Sequence, residues 1–533
     1  MKKLNIALMS VAAAVGLLCA DTHAQTPAAQ PTPPASKPSG IMTTARGDID
    51  LAKMSNEAQS EYFKRDRQSL IDDPYRPLYH FSPPGFGIHD PAGLCWWQGK
   101  YHLFYLFSVP GVQWGRGHAI SDDLVHWQDL PMLPKEFKGG TGQVWADKDR
   151  AIMSRPFAMA SDPLLMNWTA QPSNLGGDSS LMREGDTYYF INTVRGKNTA
   201  MQIHRSKDLA QWQTMGLLLN DSYYTEPGTD GSCPSLLSLG DGKHLVLFFS
   251  HNQGPKYYIG TMDFQTGKFA IEDHGRMNYG PVMRGSLHAP SGLVDPSGRC
   301  IGIWNVFEGL IKESFGGNLK GIISLPRRLS LNKQRTDNGR DPRGINPLCI
   351  EPIEELKALR TNPVKVANLV IPANGEKVLE EVRGRAMELE AIIDPRKARE
   401  VGLRVLRSAN GEEQASISIS MQAWAWPWTG DKRELMIDVS QASLSPDVAS
   451  RTPEIGPLFL KDGELLHLRV FIDKSIIEVF ANGRQCLTLR AYPTREDSVG
   501  VSVFARGSEA ALVSLDAYQM KSIWPNKAKE EIK

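Results

Sequence analysis

What the chain lacks narrows it first. Its 60 lysines and arginines almost cancel 59 aspartates and glutamates, leaving a net charge of +1. Without an excess of one sign there is no electrostatic footprint for nucleic acid or an acidic surface, and a neutral partner fits better. Cysteine is scarce, with six in 533 residues. Past the N-terminal segment these are Cys95, Cys233, Cys300, Cys349 and Cys486, an odd number with no two close together, which argues against a disulfide framework. No Cys/His cluster has zinc-site spacing and no glycine-rich phosphate loop occurs, so neither a metal nor a cofactor is expected. Beyond the N-terminus no apolar run is long enough to cross a bilayer.

The N-terminus itself has the pattern of a signal peptide over residues 1–24. Lys2 and Lys3 precede the apolar run Ile6–Leu18, and Thr22-His23-Ala24 offers a cleavage site before Gln25. Cys19 follows Leu18, where lipid attachment requires a small residue. The expectation is a periplasmic or secreted protein with no membrane contact after cleavage. Oligomeric state is not legible.

What is present reads as all-β. Hydrophobic content of 41% and charged content of 22% are globular values, and the length asks for two substantial domains. Residues 25–74 combine a Pro/Ala-rich tether with one helix inside 48–73. After Tyr75 short aromatic and β-branched runs alternate with Gly, Asp, Asn and Pro turns. Within them a unit recurs, as Ser121-Asp122-Asp123-Leu124-Val125-His126-Trp127, Ser161-Asp162-Pro163-Leu164-Leu165-Met166-Asn167-Trp168 and Ser206-Lys207-Asp208-Leu209-Ala210-Gln211-Trp212. A spacing of roughly 40 residues is the length of one four-stranded propeller blade. The acidic turn is expected to end a strand and the tryptophan to pack between blades, with no catalytic role. Residues 75–346 therefore predict a five-bladed β-propeller, and 347–362 a short helical connector. Residues 363–524 alternate as strands, most clearly Leu466–Phe471 and Ile476–Phe480 across Asp473-Lys474-Ser475, and predict a β-sandwich before a tail at 525–533.

The stretch from Tyr79 to Leu106 carries the first candidate for chemistry. Asp90 sits on a turn held by Pro91 and Gly93, just before an aromatic strand, and Trp96 and Trp97 offer flat apolar faces for sugar rings. A carboxylate beside aromatics suits glycoside chemistry, and an ordinary Asx-turn is the alternative.

Ile88-His89-Asp90-Pro91-Ala92-Gly93-Leu94, the strand Lys100–Tyr105, Trp114 to Trp127, Leu325-Pro326-Arg327-Arg328-Leu329-Ser330 and Leu468–Phe480 together resemble glycoside hydrolase family 32, the β-fructofuranosidases. The resemblance runs from about Tyr79 to Trp524. It implies a five-bladed propeller followed by a sandwich, a carbohydrate substrate, and retaining hydrolysis by a carboxylate nucleophile and a protonated acid. Asp90 matches the nucleophile. Asp178, in Gly176-Gly177-Asp178-Ser179-Ser180, matches the carboxylate that holds the sugar, although Gly177 stands where the family has arginine. The acid's position is taken by Ser232, in Ser232-Cys233-Pro234-Ser235, and a hydroxyl is far too weak an acid to serve. Asp230 points the same way as residue 232 if the stretch is extended, about 6–7 Å along the strand, and is the expected acid; Glu226 is the second candidate. His89, Trp114, Gln143, Glu226, Ser232 and Trp304 are the expected substrate contacts. Inter-blade packing is the alternative for Trp304. Trp424, Trp426 and Trp428 alternate on one strand face, as a packing row or a carbohydrate platform. A catalytically weak sugar-binding protein and a glycosyl-transferring enzyme stand as alternatives to the hydrolase.

Overall fold

The computed structural model describes residues 50–524, apart from 86, 110–111, 195–199, 220–229, 281, 283, 311–320, 334–345, 422–432, 459 and 461–462. Among these residues the chain is built almost wholly from antiparallel strands. One α-helix, Asn56–Ser69, starts where the Ser55 side chain caps the amide of Ala58. It buries Tyr62 and Phe63, and Arg67 donates to Asp129 Oδ1 at 2.8 Å while lying 3.4 Å above the ring of Trp524.

Five sheets follow, each meandering in chain order. They begin with Gly87–Trp97, Val144–Ala146, Ser179–Glu184, Ser232–Gly240 and Leu287–Val294. These leading strands pack side by side in sequence order, and the fifth packs against the first. The starts of the second and third leading strands lie side by side, with a parallel bridge between Gly142 and Ser179. Adjacent leading segments pair directly there, the amide of Gln143 donating to the carbonyl of Ser179 at 2.9 Å. The approach is tight enough to demand glycine at Gly93, whose φ is +141° and where a Cβ would lie 2.7 Å from the amide nitrogen of Val144.

The recurring sequence unit forms one structure three times. The indoles of Trp127, Trp168 and Trp212 donate to the carbonyls of Leu124, Leu165 and Leu209 at 3.1, 2.7 and 3.1 Å. Trp168 meets Phe104 of the first sheet edge-on, and Trp212 meets Phe157 of the second. The second and third copies thus each stitch one sheet to the sheet before it, while Trp127 of the first meets Phe81 edge-on.

Two six-stranded sheets complete the chain. One runs Arg360–Ile371, Ala510–Met520, Ala386–Asp394, Leu466–Asp473, Ile476–Ala481, Gln485–Arg490; the other runs Gly375–Arg383, Gly500–Arg506, Glu400–Arg407, Ala415–Ser420, Arg433–Asp438, Glu454–Leu458. Their inward aliphatic residues form a single core. The connector differs from expectation. Leu348–Pro352 is a strand on the fifth sheet because Leu348, Ile350 and Pro352 are buried with a period of two, and only Glu354–Leu359 is helical, as a 3₁₀ turn.

A buried polar seam joins the two regions. Asp473 accepts the amides of Leu78, Tyr79 and His80 at 2.7, 2.8 and 2.9 Å. Glu478 accepts from Leu325 N, Arg327 Nη2 and Thr488 Oγ1 at 2.7, 2.9 and 3.1 Å. Burial works to raise the Glu478 carboxyl, but the charges of Arg327 and His80 hold it below its ordinary value.

Candidate active site

Three leading strands carry a β-bulge near their starting ends, and each bulge contains a proline. In Gly87–Trp97 the register slips between Ile88 and Pro91 and again between Pro91 and Leu94. In Ser232–Gly240 it slips between Ser232 and Ser235, and in Leu287–Val294 between Leu287 and Pro290. Proline cannot donate to the ladder, so Asp90-Pro91, Cys233-Pro234 and Ala289-Pro290 break pairing where the extra residue re-aims its neighbours. The side chains gathered this way are His89 and Asp90, Cys233, and His288.

Asp90 is 4% exposed. Its Oδ2 accepts from Thr141 Oγ1 at 2.8 Å. Its Oδ1 lies 2.9 Å from His89 Nδ1 and 2.9 Å from His288 Nδ1. Burial pushes the Asp90 carboxyl up, but the two imidazoles outweigh it and hold it far below its usual range. Burial lowers His288. For His89, burial works downward and Asp90 more than offsets it. His288 is itself packed between Phe249 and Phe307, at ring separations of 4.0 and 4.4 Å.

Asp178 immediately precedes the third leading strand. Arg155 Nη1 donates to its Oδ1 at 3.4 Å, so a cation does reach this carboxylate, from another sheet rather than from position 177. Cys233 Sγ lies 3.8 Å from Asp178 Oδ2. Burial, then Asp178 and Asp90, push the Cys233 thiol well up and keep it protonated. Arg116, wholly buried, braces the loop behind Thr141 by donating to the carbonyls of Ala92, Gly140 and Arg155 at 2.9, 3.1 and 2.8 Å. Its burial lowers it to about 9.

Asp230 is not a free acid. It accepts the amide of His251 at 2.7 Å and Ser232 Oγ at 2.8 Å, and its Oδ2 meets His251 Nδ1. Against the effect of burial, these contacts hold it down to about 2, so it is a carboxylate at neutral pH and has no proton to give. The Asp230 contact raises His251 instead, and the His251 ring stands 5.9 Å from that of His288. The group beside Asp230 that gains protons is thus a histidine.

The other expected contacts divide. Trp114, 38% exposed, stands edge-on to His89 with ring centroids 4.8 Å apart, at the mouth of the site. Ser232 is buried and committed to Asp230. Gln143 is engaged by the fifth leading strand: its Nε2 donates to Pro290 O at 3.3 Å, its Oε1 accepts from Ser291, and it lines a cavity of about 540 Å³ with Trp96 and Ser180. Trp304 is fully buried beneath the guanidinium of Arg327, at 4.8 Å, and packs rather than binds. Trp96 and Trp97 lie toward the far end of the Asp90 strand, against Tyr101 and the carbonyl of Asp162. Glu226, Trp424, Trp426 and Trp428 lie outside the described residues. The reading that no metal-ligating cluster exists also changes, because His89, Asp90 and His288 bring three donor atoms within 4.8 Å of one another. Sequence spacing could not show that, since His288 comes from the fifth sheet. Among the described residues no helix is long and apolar enough to cross a membrane.

Two family models match this chain. Residues 80–154 and 177–339 match the glycosyl hydrolases family 32 N-terminal domain, and residues 355–519 match the family 32 C terminal model. Levanase of Bacillus subtilis (strain 168) is 26% identical over 543 residues, covering 89% of this chain and 74% of that protein. Sucrose-6-phosphate hydrolase of Escherichia coli is 25% identical over 500 residues, covering 81% and 94%. The crystal structure of fructan 1-exohydrolase IIa from Cichorium intybus superposes with a TM-score of 0.70 at 19% identity, covering 85% of this chain and 98% of that one.

Proposed function

Because the chain belongs to glycoside hydrolase family 32, we propose that it is an exported glycosidase that cleaves the O-glycosidic bond of a fructoside or related furanoside. Its scaffold would be a five-bladed propeller followed by a sandwich, which the cycle of five leading strands supports. The observation that carries the reading is the placement of Asp90, buried and ionised in a double bulge where the leading strands converge, with Asp178 and the Asp230–His251 pair around the same cysteine.

The chemistry then runs in two balanced steps. Oδ2 of Asp90 attacks the anomeric carbon, the glycosidic C–O bond breaks, and its electron pair stays with the leaving oxygen, which takes a proton from His251. Water then attacks the same carbon, returns a proton to His251 and frees Asp90. Asp230 orients His251 through Nδ1, leaving Nε2 to deliver the proton. Asp178, steadied by Arg155, holds sugar hydroxyls. Trp114 at the mouth supplies an aromatic face.

The test is turnover of sucrose, inulin, levan and activated aryl furanosides by the native protein and Asp90→Asn. Turnover that disappears with Asp90→Asn is the expected result. The loss of the family's acid at Ser232 favours one second reading, a sugar-binding protein, and saturable binding of these sugars without turnover would establish it in place of hydrolysis.

A further inference from the structure

The Asp90 cluster holds more than a nucleophile requires. Oδ1 of Asp90 and Nδ1 of both His89 and His288 have no hydrogen-bond partner among the described residues, although each nitrogen is 2.9 Å from the oxygen. The contacts are close but not aligned for hydrogen bonding. Neither ring nitrogen of His288 has a partner, and that ring is 2% exposed. An unsatisfied buried polar atom costs about 1–3 kcal/mol, so several in one cluster call for a missing group.

We propose that His89, Asp90 and His288 bind one divalent transition-metal ion, whose open positions take hydroxyls of the sugar. Imidazole nitrogens and a carboxylate are donors that zinc and its first-row neighbours select. An ion held about 2.1 Å from each donor sets donors roughly 3–3.4 Å apart. The two nitrogen–oxygen separations of 2.9 Å approach that spacing, and because the whole set spans up to 4.8 Å one imidazole must move inward to complete the site. His288 and Asp90 are buried and braced, while the His89 side chain is 23% exposed and has room to close on the ion. Three protein donors leave coordination open, the arrangement of a site that receives a substrate. Asp90 divides its two oxygens accordingly. Oδ1 faces the imidazoles, and Oδ2, on Thr141, stays directed to the anomeric carbon.

The ion's role with sugar rests on the proposed glycosidase reading; its binding does not. The untagged protein, stripped with chelator and dialysed, is titrated with zinc by calorimetry and with cobalt by visible absorption. One equivalent of zinc should bind, and cobalt should give a ligand-field spectrum. Binding should weaken about 100-fold or more in His288→Gln and in His89→Asn, each checked for a native melting curve. Absence of a stoichiometric site, or a site that both variants retain, overturns the proposal even if Asp90→Asn abolishes turnover. Chelation that lowers turnover, with recovery on adding zinc, supports the sugar-holding role. Turnover unchanged in metal-free protein overturns that role.

Discussion

Glu454→Gln should remove a specific pH dependence of stability. Glu454 is wholly buried, and its Oε1 accepts the amides of Tyr279 and Gly280, the latter at 2.7 Å. Those residues lead into the strand that carries His288. Burial pushes the Glu454 carboxyl up to about 7 from an ordinary 4.5, against the pull of the two amides. The folded state therefore holds a proton that the unfolded chain releases earlier. The stability this provides is complete below about pH 4.5 and is lost as pH rises through about 7. The gap of about 2.5 pH units, at about 1.4 kcal/mol each, amounts to roughly 3 kcal/mol. Glutamine keeps an oxygen for both amides and has no proton to lose. Urea unfolding followed by tryptophan fluorescence at pH 5, 6, 7 and 8 should show the native protein weakening and Glu454→Gln lacking that part of the slope. At pH 8 the variant should be the more stable by up to about 3 kcal/mol. Parallel pH profiles for the two proteins would refute the reasoning, because they would mean that the amides keep Glu454 ionised throughout.

Two further outcomes are expected. His251→Gln should lower kcat/KM about 10²–10⁴-fold on an alkyl fructoside and far less on a nitrophenyl furanoside, whose leaving group needs no proton; equal losses on both would remove His251 as the donor. Glu478→Ala should cost about 3–5 kcal/mol in urea unfolding, because it strands the fully buried Arg327 without its carboxylate, and a loss below about 1 kcal/mol would mean that the seam is not sustained by that pair.

Much of the fold was legible because its signals are local. The Asp-Leu…Trp turn repeats in sequence and closes on itself within a few residues, so three copies reveal a repeating sheet. Asp90 was legible from its own proline and glycine. The remaining site residues depend on what faces them from other strands. Asp230 lies just before the expected strand, but its protonation is set by His251, which lies beyond the next hairpin turn. Gln143 has both ends of its amide held by Pro290 and Ser291, partners that its position in the chain does not reveal. Trp304 alternates inward on a strand whose inner face is the core. One local signal did exist for His288. It precedes Ala289-Pro290 as His89 precedes Asp90-Pro91, and a proline inside a strand marks a bulge.

Arg67 also has a bearing on how the polypeptide tolerates editing. It clasps Asp129 with one edge of its guanidinium and covers Trp524 with its face, while the amide of Ile523 binds the carbonyl of Leu78. The N-terminal helix and residues 523 and 524 are thus fastened together at one spot. A truncation before Ile523 would therefore loosen the helix more than 450 positions upstream in the chain.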